Sequence, residues 1–473
     1  GDTGDGDTGD GDTGDGDGDG DSMPTLPEWD PADFDTVYDV GPGHPYPTPS
    51  DVPWESVAPS SLVRIHYRPE PYTDKWVINV PGTEADPVVV VGIPEGDLLP
   101  VITGDGAMTR PELNYWNDER SVIKIGGSST PDNETPSWIY VQSLVVRDAH
   151  PDYGFTDDGG SSSTYSDNAA SIHVELGENI FLLGCEITNS GNGLFAGSGT
   201  TNLVIGSNYV HGNGISGSIY QHNSYTEALG ITFEFNHYGA LCPDCPGNNL
   251  KDRSAGTVIR YNWIEDGNRQ LELVDSDHAE LVDHPSYVDT FVYGNLLIEG
   301  DGEGNSQMIH FGGDSGDASL YRKGALHLFN NTLVSTRSGN TTTTALSTND
   351  QALDARNNVV WVSANGSNLA MTNGRGTTEL RNNWLPTGWV PTHEGTIEGS
   401  VDDLGNVEGD APGFVDADGQ DFALASGSPA IDMAGPLADD ASGYPLNWNY
   451  VLHQGGVARP DDGSPDIGAL ERE

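Results

Sequence analysis

Short stretches in which apolar and polar residues alternate recur along the middle of the chain. Each stretch is followed by an Asn and a further apolar pair, as in residues 257–264 (TVIRYNWI) and 290–297 (TFVYGNLL). The Asn residues of seven such stretches lie 25 to 36 residues apart and are Asn208, Asn236, Asn262, Asn295, Asn331, Asn358 and Asn383. A period of two over five to eight residues predicts β-strands. The middle of the chain is therefore predicted to be a series of strand-containing repeats.

The repeat is too short to hold two parallel strands and a crossover helix. Each coil must then stack on the next one, as in a parallel β-solenoid. Stacking places equivalent residues about 4.8 Å apart, so repeated Asn side chains can hydrogen-bond to one another as a ladder inside the turn. Cys185 takes the Asn position one repeat before Asn208. We expect Cys185 to cap the ladder as a small buried side chain.

This repeat resembles the right-handed parallel β-helix superfamily of secreted bacterial proteins, which includes pectate-lyase-like polysaccharide lyases and glycoside hydrolases. Residues 421–432 (DFALASGSPAID) and 459–471 (RPDDGSPDIGALE) look like the terminal segment of many such proteins. The resemblance implies an all-β, right-handed parallel β-helix. We expect an acidic Asp/Gly-rich tail at 1–24, a capping segment with first coils at 25–119, the main coils at 120–395, and a last coil with a terminal segment at 396–473.

Charge excludes some classes of partner. The 473 residues include 73 Asp or Glu and only 19 Lys or Arg, which gives a formal net charge of -54. Such a surface repels phosphate groups, so we expect that the protein binds neither nucleic acids nor anionic membranes. The sequence has no run of 18 apolar residues, so it predicts no transmembrane segment. These features suit a bacterial protein that is extracellular or tethered to the outer surface.

Residues 1–22 contain nine Asp and no apolar side chain. The simplest interpretation of this segment is a solvated spacer. The more specific alternative is that its alternating carboxylates bind Ca²⁺. Cys242 and Cys245 lie in the sequence CPDC, which lacks the second pair of a zinc site. In an exported protein we expect them to form a local disulfide.

Aligning the coils on their Asn residues also aligns an earlier strand, about 11 residues upstream. Most of these strands present small or neutral residues at the outward-facing step, whereas the central coils present Tyr225, Lys251, Glu272 and His310. Lys251 is one of only four lysines in the chain. Neighbouring ionisable groups on successive coils are what an exposed catalytic groove would need, because they shift one another's proton affinities.

Within the enzyme hypothesis, β-elimination on a uronic acid needs a base, a cation for the carboxylate and a proton donor. The resemblance implies a Lys or Arg base, often with Ca²⁺ bridging to an acidic polysaccharide. Lys251 would be the base, Arg253 the carboxylate partner, and Tyr225 or His310 the proton donor. The candidate substrate-binding residues are His222, Asn223, Asn249, Arg269 and Gln270, and the candidate Ca²⁺ ligands are Glu272, Asp275, Asp252 and Glu227.

Other functions stay open at this stage. A glycoside hydrolase needs two carboxyl groups about 5 to 9.5 Å apart, which Asp252, Glu272 and Asp275 could supply. The charged residues could also be a salt-bridged, solvated wall or a groove that binds a glycan without cleaving it. A structural or adhesive Ca²⁺-dependent solenoid, assembling through its tail or its ends, is the alternative outside enzymology.

Overall fold

The computed structural model describes residues 26–302 and 304–472. Its strands pair almost entirely in parallel, each with the equivalent strand of the coil before and after it. The predicted acidic tail, and with it the proposed spacer and Ca²⁺-binding roles, lies outside the described residues. Within them the chain folds as a right-handed parallel β-helix, as the resemblance implied.

Each coil contributes one strand to each of three parallel sheets. Sheet 1 consists of Asp74–Ile78, Ser121–Ile125, the first part of Ala170–Leu183, the first part of Asn192–Gly206, Ser224–Thr226, Leu250–Asp252, Leu271–Leu273, Gln307–Phe311, Thr341–Leu346 and Leu369–Thr372. At its N-terminal end, Ala107–Thr109 and Gly154–Thr156 pair alongside, and Ser162–Thr164 forms a hairpin with the latter.

Sheet 2 follows sheet 1 within each coil. Its strands are Thr36–Val40, Ser61–His66, Val88–Ile93, Ser137–Gln142, the second parts of Ala170–Leu183 and Asn192–Gly206, Leu229–Glu234, Ala255–Arg260, Asp289–Tyr293, Gly324–Phe329, Gln351–Arg356, Thr377–Arg381 and Ser400–Asp403. The two long strands run through both sheets, with a register shift between Val174 and Leu176.

Sheet 3 completes each coil. Its strands are Val101–Thr103, Val145–Arg147, Glu186–Thr188, Tyr209–His211, His237–Tyr238, Trp263–Glu265, Leu296–Glu299, Thr332–Ser335, Val359–Val362, Trp384–Pro386 and Val407–Gly409. Inward-pointing aliphatic residues from all three sheets fill the coil interior, in keeping with the alternation seen in the sequence.

Little of the described chain is helical. One short α-helix spans Ala279–Val282, and single 3₁₀ turns lie at Pro31–Asp33, Pro49–Asp51, Trp54–Ser56, Asp118–Arg120, Pro285–Tyr287, Gly366–Asn368 and Asp439–Ala441. Antiparallel pairs join Asn114–Tyr115 to Ser128–Thr130, Phe414–Asp416 to Asp421–Leu424, and Trp448–Val451 to Gly455–Ala458. None of the described helices is long and apolar enough to cross a membrane.

The Asn ladder lies in the turn between sheets 2 and 3. From Asn208 to Asn383, the side-chain N–H of each of the seven predicted Asn residues donates to the side-chain oxygen of the next at 2.9–3.0 Å. An eighth member, Asn406, ends the ladder and donates to Asp403 Oδ1 at 2.7 Å. The backbone N–H of Cys185, itself buried, donates to Asn208 Oδ1 at 2.9 Å. The predicted ladder and its Cys185 cap are both confirmed.

The ladder requires a sharp turn in every coil. The residue before each Asn adopts the left-handed conformation, with φ of 54° at Ser207, 55° at Phe235 and 54° at Tyr261. Bulky side chains rarely adopt this conformation. The hydrogen bonds of the following Asn, which also satisfy backbone groups of the turn, offset its cost.

The C-terminal segment lies along the outside of the coils. Ile467 and Ala469 are fully buried, and the backbone N–H of Gly468 donates to the carbonyl oxygen of Asn357 at 2.8 Å. Arg459 pairs with Glu471 at 2.8 Å, and both are almost completely buried. The sequence motif at 459–471 therefore packs as a strap across several coils.

Candidate functional site

The outward-facing residues of sheet 1 form one continuous row. Tyr225 is in register with Lys251, Lys251 with Glu272, and Glu272 with His310. The alignment on the Asn ladder had placed these four side chains at the same step of successive coils, and the pairing of the strands agrees with it. Two groups of contacts form along this row.

The first group is centred on a carboxylate that sequence reasoning missed. Asp314 lies in the loop after strand Gln307–Phe311, and its Oδ2 is 2.5 Å from Lys251 Nζ. Its other oxygen, Oδ1, accepts a hydrogen bond from Arg253 Nη2 at 2.8 Å. Arg253 Nε in turn donates to the hydroxyl oxygen of Tyr225 at 3.0 Å. One carboxylate thus bridges the two cations that had been assigned to base and carboxylate binding.

The electrostatics of this group follow from its burial. Only 11% of the Lys251 side chain and 16% of the Arg253 side chain is exposed. Burial alone would raise the pKa of Asp314, but Lys251 and Arg253 outweigh it and hold that pKa below its ordinary value. Asp314 is therefore ionised at neutral pH, and the three charges form a compact network.

The second group is centred on Glu272. Its Oε2 accepts from Arg269 Nη1 at 2.7 Å, and its Oε1 lies 2.9 Å from His310 Nδ1. Arg269 also donates to Gln307 Oε1 at 3.0 Å. Burial acts to raise the pKa of Glu272, yet the hydrogen bond from His310 and the charges nearby bring it below its ordinary value. Glu272 is thus an ionised carboxylate that already has two partners.

Several predicted substrate-binding residues point into the coil. Asn223 and Asn249 are fully buried in a second, shorter ladder, in which Asn213 Nδ2 donates to Asn223 at 2.9 Å and Asn223 Nδ2 to Asn249 at 2.8 Å. Gln270 is fully buried and donates to Glu299 Oε2 at 2.7 Å. We therefore assign these three side chains a structural role instead of substrate contact.

His222 is also buried, beside Tyr225. Its Nδ1 accepts the backbone N–H of Asn248 at 2.9 Å, and its ring meets that of Tyr225 edge to face. Burial first, and the Lys251 charge second, lower the pKa of His222 to about 3. The imidazole is consequently neutral and supports Tyr225 from beneath. Of the predicted substrate-binding residues, Arg269 is the one that stays half-buried at the surface of the row.

The carboxylates predicted to bind Ca²⁺ do not converge on one point. Asp252 is fully buried and paired with the equally buried Arg322 at 3.0 Å. Asp275 accepts the backbone N–H of Asp314 at 2.8 Å and so holds the loop that carries it. With Glu272 engaged as described, this donor set does not fit a Ca²⁺ ion, which needs six to eight free oxygen ligands.

Glu227 belongs to a different cluster. Together with Asp277 and His278 it forms one of two groups among the described residues that could hold a metal ion, the other being Asp39, His44 and His66. Glu227 Oε1 is 3.0 Å from His278 Nδ1. The Glu227 group directly follows strand Ser224–Thr226 and so lies beside the Lys251 row, whereas the Asp39 group lies on the first coils of sheet 2.

A disulfide joins Cys242 and Cys245, as the sequence analysis predicted. It lies in the connection from strand His237–Tyr238 to strand Leu250–Asp252. The bond restricts the conformations of this connection, which leads into the strand that carries Lys251.

Two further lysines are fully buried near the start of the β-helix. Lys124 pairs with Glu175 at 2.6 Å, and Lys75 lies 3.3 Å from the ring centre of Phe155. Burial lowers the pKa of Lys75 to about 7, although Asp118 and Glu119 oppose the shift. The rarity of lysine in the sequence does not reveal that these two lie inside.

This shift predicts a pH-dependent stability. Between about pH 7 and 10.5 the unfolded chain binds a proton at Lys75 that the folded chain does not, so the free energy of unfolding rises with pH in that window. Relative to Lys75→Met, the free energy of unfolding of the wild type should rise by up to about 1.4 kcal/mol per pH unit in that window. Urea unfolding of both proteins at several pH values measures the difference. A difference that stays constant from pH 7 to 10 would contradict the assignment.

Comparisons with known proteins found similarity in structure alone. No protein-family model matches the sequence, and no curated protein matches it. The structure is similar to that of pectate lyase Pel9A, with 13% identity and a TM-score of 0.48 over 93% of this chain and 97% of that one. It is also similar to an alginate lyase from Paenibacillus sp. str. FPU-7, with 9% identity and a TM-score of 0.45 over 73% and 98% of the two chains.

A third similar structure is a mutant DFA-IIIase from Arthrobacter chlorophenolicus A6 in complex with DFA-III, with 11% identity and a TM-score of 0.32 over 80% of each chain. At such identities the likeness concerns the path of the chain, and no residue role is taken from it. The class that the fold defines is the parallel β-helix proteins, and the function has to be argued from the site.

Proposed function

We propose that this protein is an extracellular polysaccharide lyase that cleaves a uronic-acid-containing polysaccharide by β-elimination. The observation that carries the proposal is the Asp314 carboxylate, whose two oxygens lie 2.5 and 2.8 Å from Lys251 and Arg253. The two cations are therefore spaced to share one carboxylate. A uronate presents the same group next to its acidic C5–H bond.

In the proposed reaction, the substrate carboxylate replaces Asp314 on Arg253, which stabilises the negative charge that develops when C5 loses its proton. Lys251, released from Asp314, loses its own proton to solvent and then accepts the C5 proton as the neutral amine. Tyr225, hydrogen-bonded to Arg253 at 3.0 Å, donates a proton to the leaving oxygen at C4. We prefer Tyr225 to His310 as donor because His310 is held between Glu272 and Ser347.

Asp314 would then control when Lys251 is free to act. It must leave Lys251 before that side chain can act as a base, and it sits on a loop that begins with Gly312 and Gly313. The two cations of the network outnumber its one carboxylate, which spares an anionic substrate much of the repulsion expected from a chain of net charge -54. The acidic residues spread over the surface and the two cations Lys251 and Arg253 thus have separate roles.

The proposal is tested by the spectrum of the product. Polygalacturonate, alginate and acidic glycosaminoglycans should be incubated with the protein, and at least one should yield an unsaturated product that absorbs in the ultraviolet. Because Lys251 and Arg253 supply the cations, we expect at least half of the rate to persist in EDTA. Loss of the whole rate on chelation, restored by Ca²⁺, would assign carboxylate neutralisation to a metal. Release of reducing ends without ultraviolet absorbance would instead identify a hydrolase.

One observation favours a second candidate, a structural or adhesive extracellular solenoid. The charged row is internally paired, which is also what a rigid, non-catalytic wall requires. Under this alternative, no acidic glycan is cleaved and assembly of the rods is sensitive to chelators. The paired-carboxylate hydrolase receives less support, because Asp252, Glu272 and Asp275 are all buried with partners of their own.

A further inference from the structure

Three side chains next to the proposed lyase residues form a relay of hydrogen bonds. Glu272 Oε1 lies 2.9 Å from His310 Nδ1, and His310 Nε2 lies 2.8 Å from the hydroxyl oxygen of Ser347. Glu272 and His310 face each other in register on neighbouring coils, and Ser347 immediately follows strand Thr341–Leu346 on the next coil. Both distances lie in the range found between a nucleophile, its base and the group that orients the base.

The protonation pattern suits such a relay. Glu272 is ionised, so the proton of a neutral His310 is drawn to Nδ1, which leaves Nε2 free to accept the Ser347 proton. The backbone N–H of Gly313 donates to Ser347 Oγ at 2.9 Å, and the Gly313 carbonyl oxygen is a second acceptor at 3.1 Å. His310 Nε2 is the nearer acceptor.

Ser347 also faces a cavity. A space of about 290 Å³ is lined by Gln307, His310, Gly313, Tyr321, Ser347 and Arg375, among others. Gly312 and Gly313 bring the loop close enough to form its wall, since a Cβ on Gly312 would lie 2.5 Å from Ser347 Oγ and one on Gly313 would overlap the Tyr321 ring. Arg375 Nη1 donates to the Ser347 backbone carbonyl oxygen at 3.1 Å, so the wall of the cavity also carries a cation.

From this geometry we propose a second activity: Ser347, His310 and Glu272 form a nucleophilic triad that hydrolyses short acyl esters of sugars. Ser347 Oγ attacks the acyl carbonyl carbon while its proton passes to His310 Nε2. The C–O bond to the sugar breaks, and His310 returns that proton to the departing sugar hydroxyl. Water then attacks the acyl-serine with His310 as base, which releases the carboxylic acid and restores Ser347. Glu272 acts as a positioning residue through His310.

The size and place of the cavity define the substrate class. The space accepts an acyl group of a few carbon atoms next to a sugar, and its lining is mainly polar. It opens on the same sheet as Lys251, with His310 two coils further on, a separation of about 10 Å at 4.8 Å per coil. A polysaccharide lying along this row would thus present an acyl substituent to Ser347.

The test uses the full-length protein, a fluorophosphonate probe and p-nitrophenyl acetate. We expect the probe to label the wild type at Ser347 and Ser347→Ala to lose both the label and about a thousandfold of the esterase rate. Ser363→Ala changes an exposed serine that follows strand Val359–Val362; it is the matched control and should be labelled as fully as the wild type. Glu272→Gln should lower kcat with little change in KM, as a positioning role requires.

Equal labelling of Ser347→Ala and the wild type, or no labelling of the wild type beside a labelled serine hydrolase, would overturn the triad. The proposal is independent of the lyase, because Ser347 takes no part in the elimination. Labelling and ester hydrolysis without an ultraviolet-absorbing product would therefore reject the lyase and keep the triad. Circular dichroism of each variant checks that the β-helix is intact.

Discussion

Lys251→Ala is expected to lower the rate of formation of the unsaturated product about a thousandfold. General acid–base catalysis contributes roughly 10² to 10⁴ to enzymatic rates, and Lys251 would supply the base. The rate should be measured by ultraviolet absorbance on the polyuronate that the wild type cleaves fastest. Because no other lysine among the described residues lies on the central coils of sheet 1, we expect no compensation from a neighbour.

Lys323→Ala provides the matched control. Lys323 is half-exposed and lies 3.9 Å from Asp350, so its removal changes the net charge by the same amount at a site that the reaction does not use. The control variant should keep the wild-type rate within about twofold, since a surface ion pair contributes little. If Lys251→Ala turned over substrate as fast as Lys323→Ala, the elimination base would have to be sought elsewhere.

The second large effect concerns Arg322, at the end of the loop that carries Asp314. Arg322→Met should lower the free energy of unfolding by about 3 to 5 kcal/mol, because it leaves Asp252 charged and buried without its cation. Both side chains are fully buried, and Arg322 also donates to the Val274 carbonyl oxygen at 2.8 Å. Urea denaturation followed by tryptophan fluorescence measures the change.

Arg381→Met is the control for this experiment, since Arg381 pairs with Glu379 at 3.2 Å where both side chains are more than a third exposed. We expect a loss of less than about 1 kcal/mol there. In the double variant Arg322→Met/Asp252→Asn the unpaired charge is gone, so part of the stability should return. A loss below about 1 kcal/mol for Arg322→Met would mean that the pair does not anchor the loop.

The fold could be predicted because its signal is local and repeats. Alternation followed by an Asn marks each coil independently, and a constant offset from that Asn placed Tyr225, Lys251, Glu272 and His310 in register. Asn406 was overlooked because the apolar residues in the segment before it, Val401 and Leu404, lie three positions apart and so do not alternate. The pattern therefore weakens at the end of the β-helix, where the interior is less enclosed.

The site could be predicted only in part. Strand alternation, applied strictly, puts Asp252 inside once Lys251 points outward, yet its charge suggested a metal ligand at the surface. No sequence pattern points to Asp314, because the loop that carries it lacks the alternation of apolar and polar residues found in the strands. Its position depends on Asp275 and Arg322, which are 39 and 8 residues away in sequence. Ser347 was not singled out either, since nothing in the sequence relates one serine to a histidine on the preceding coil.

The Asn ladder also gives the rod an electrical direction. From Asn208 onward, every side-chain amide donates toward the C-terminal coils and accepts from the N-terminal side, so the amide dipoles add as peptide dipoles do along an α-helix. The positive end meets the Asp403 carboxylate, and the negative end receives the backbone N–H of Cys185. A line of neutral side chains thus distinguishes the two ends of the β-helix and stabilises an anion at one of them.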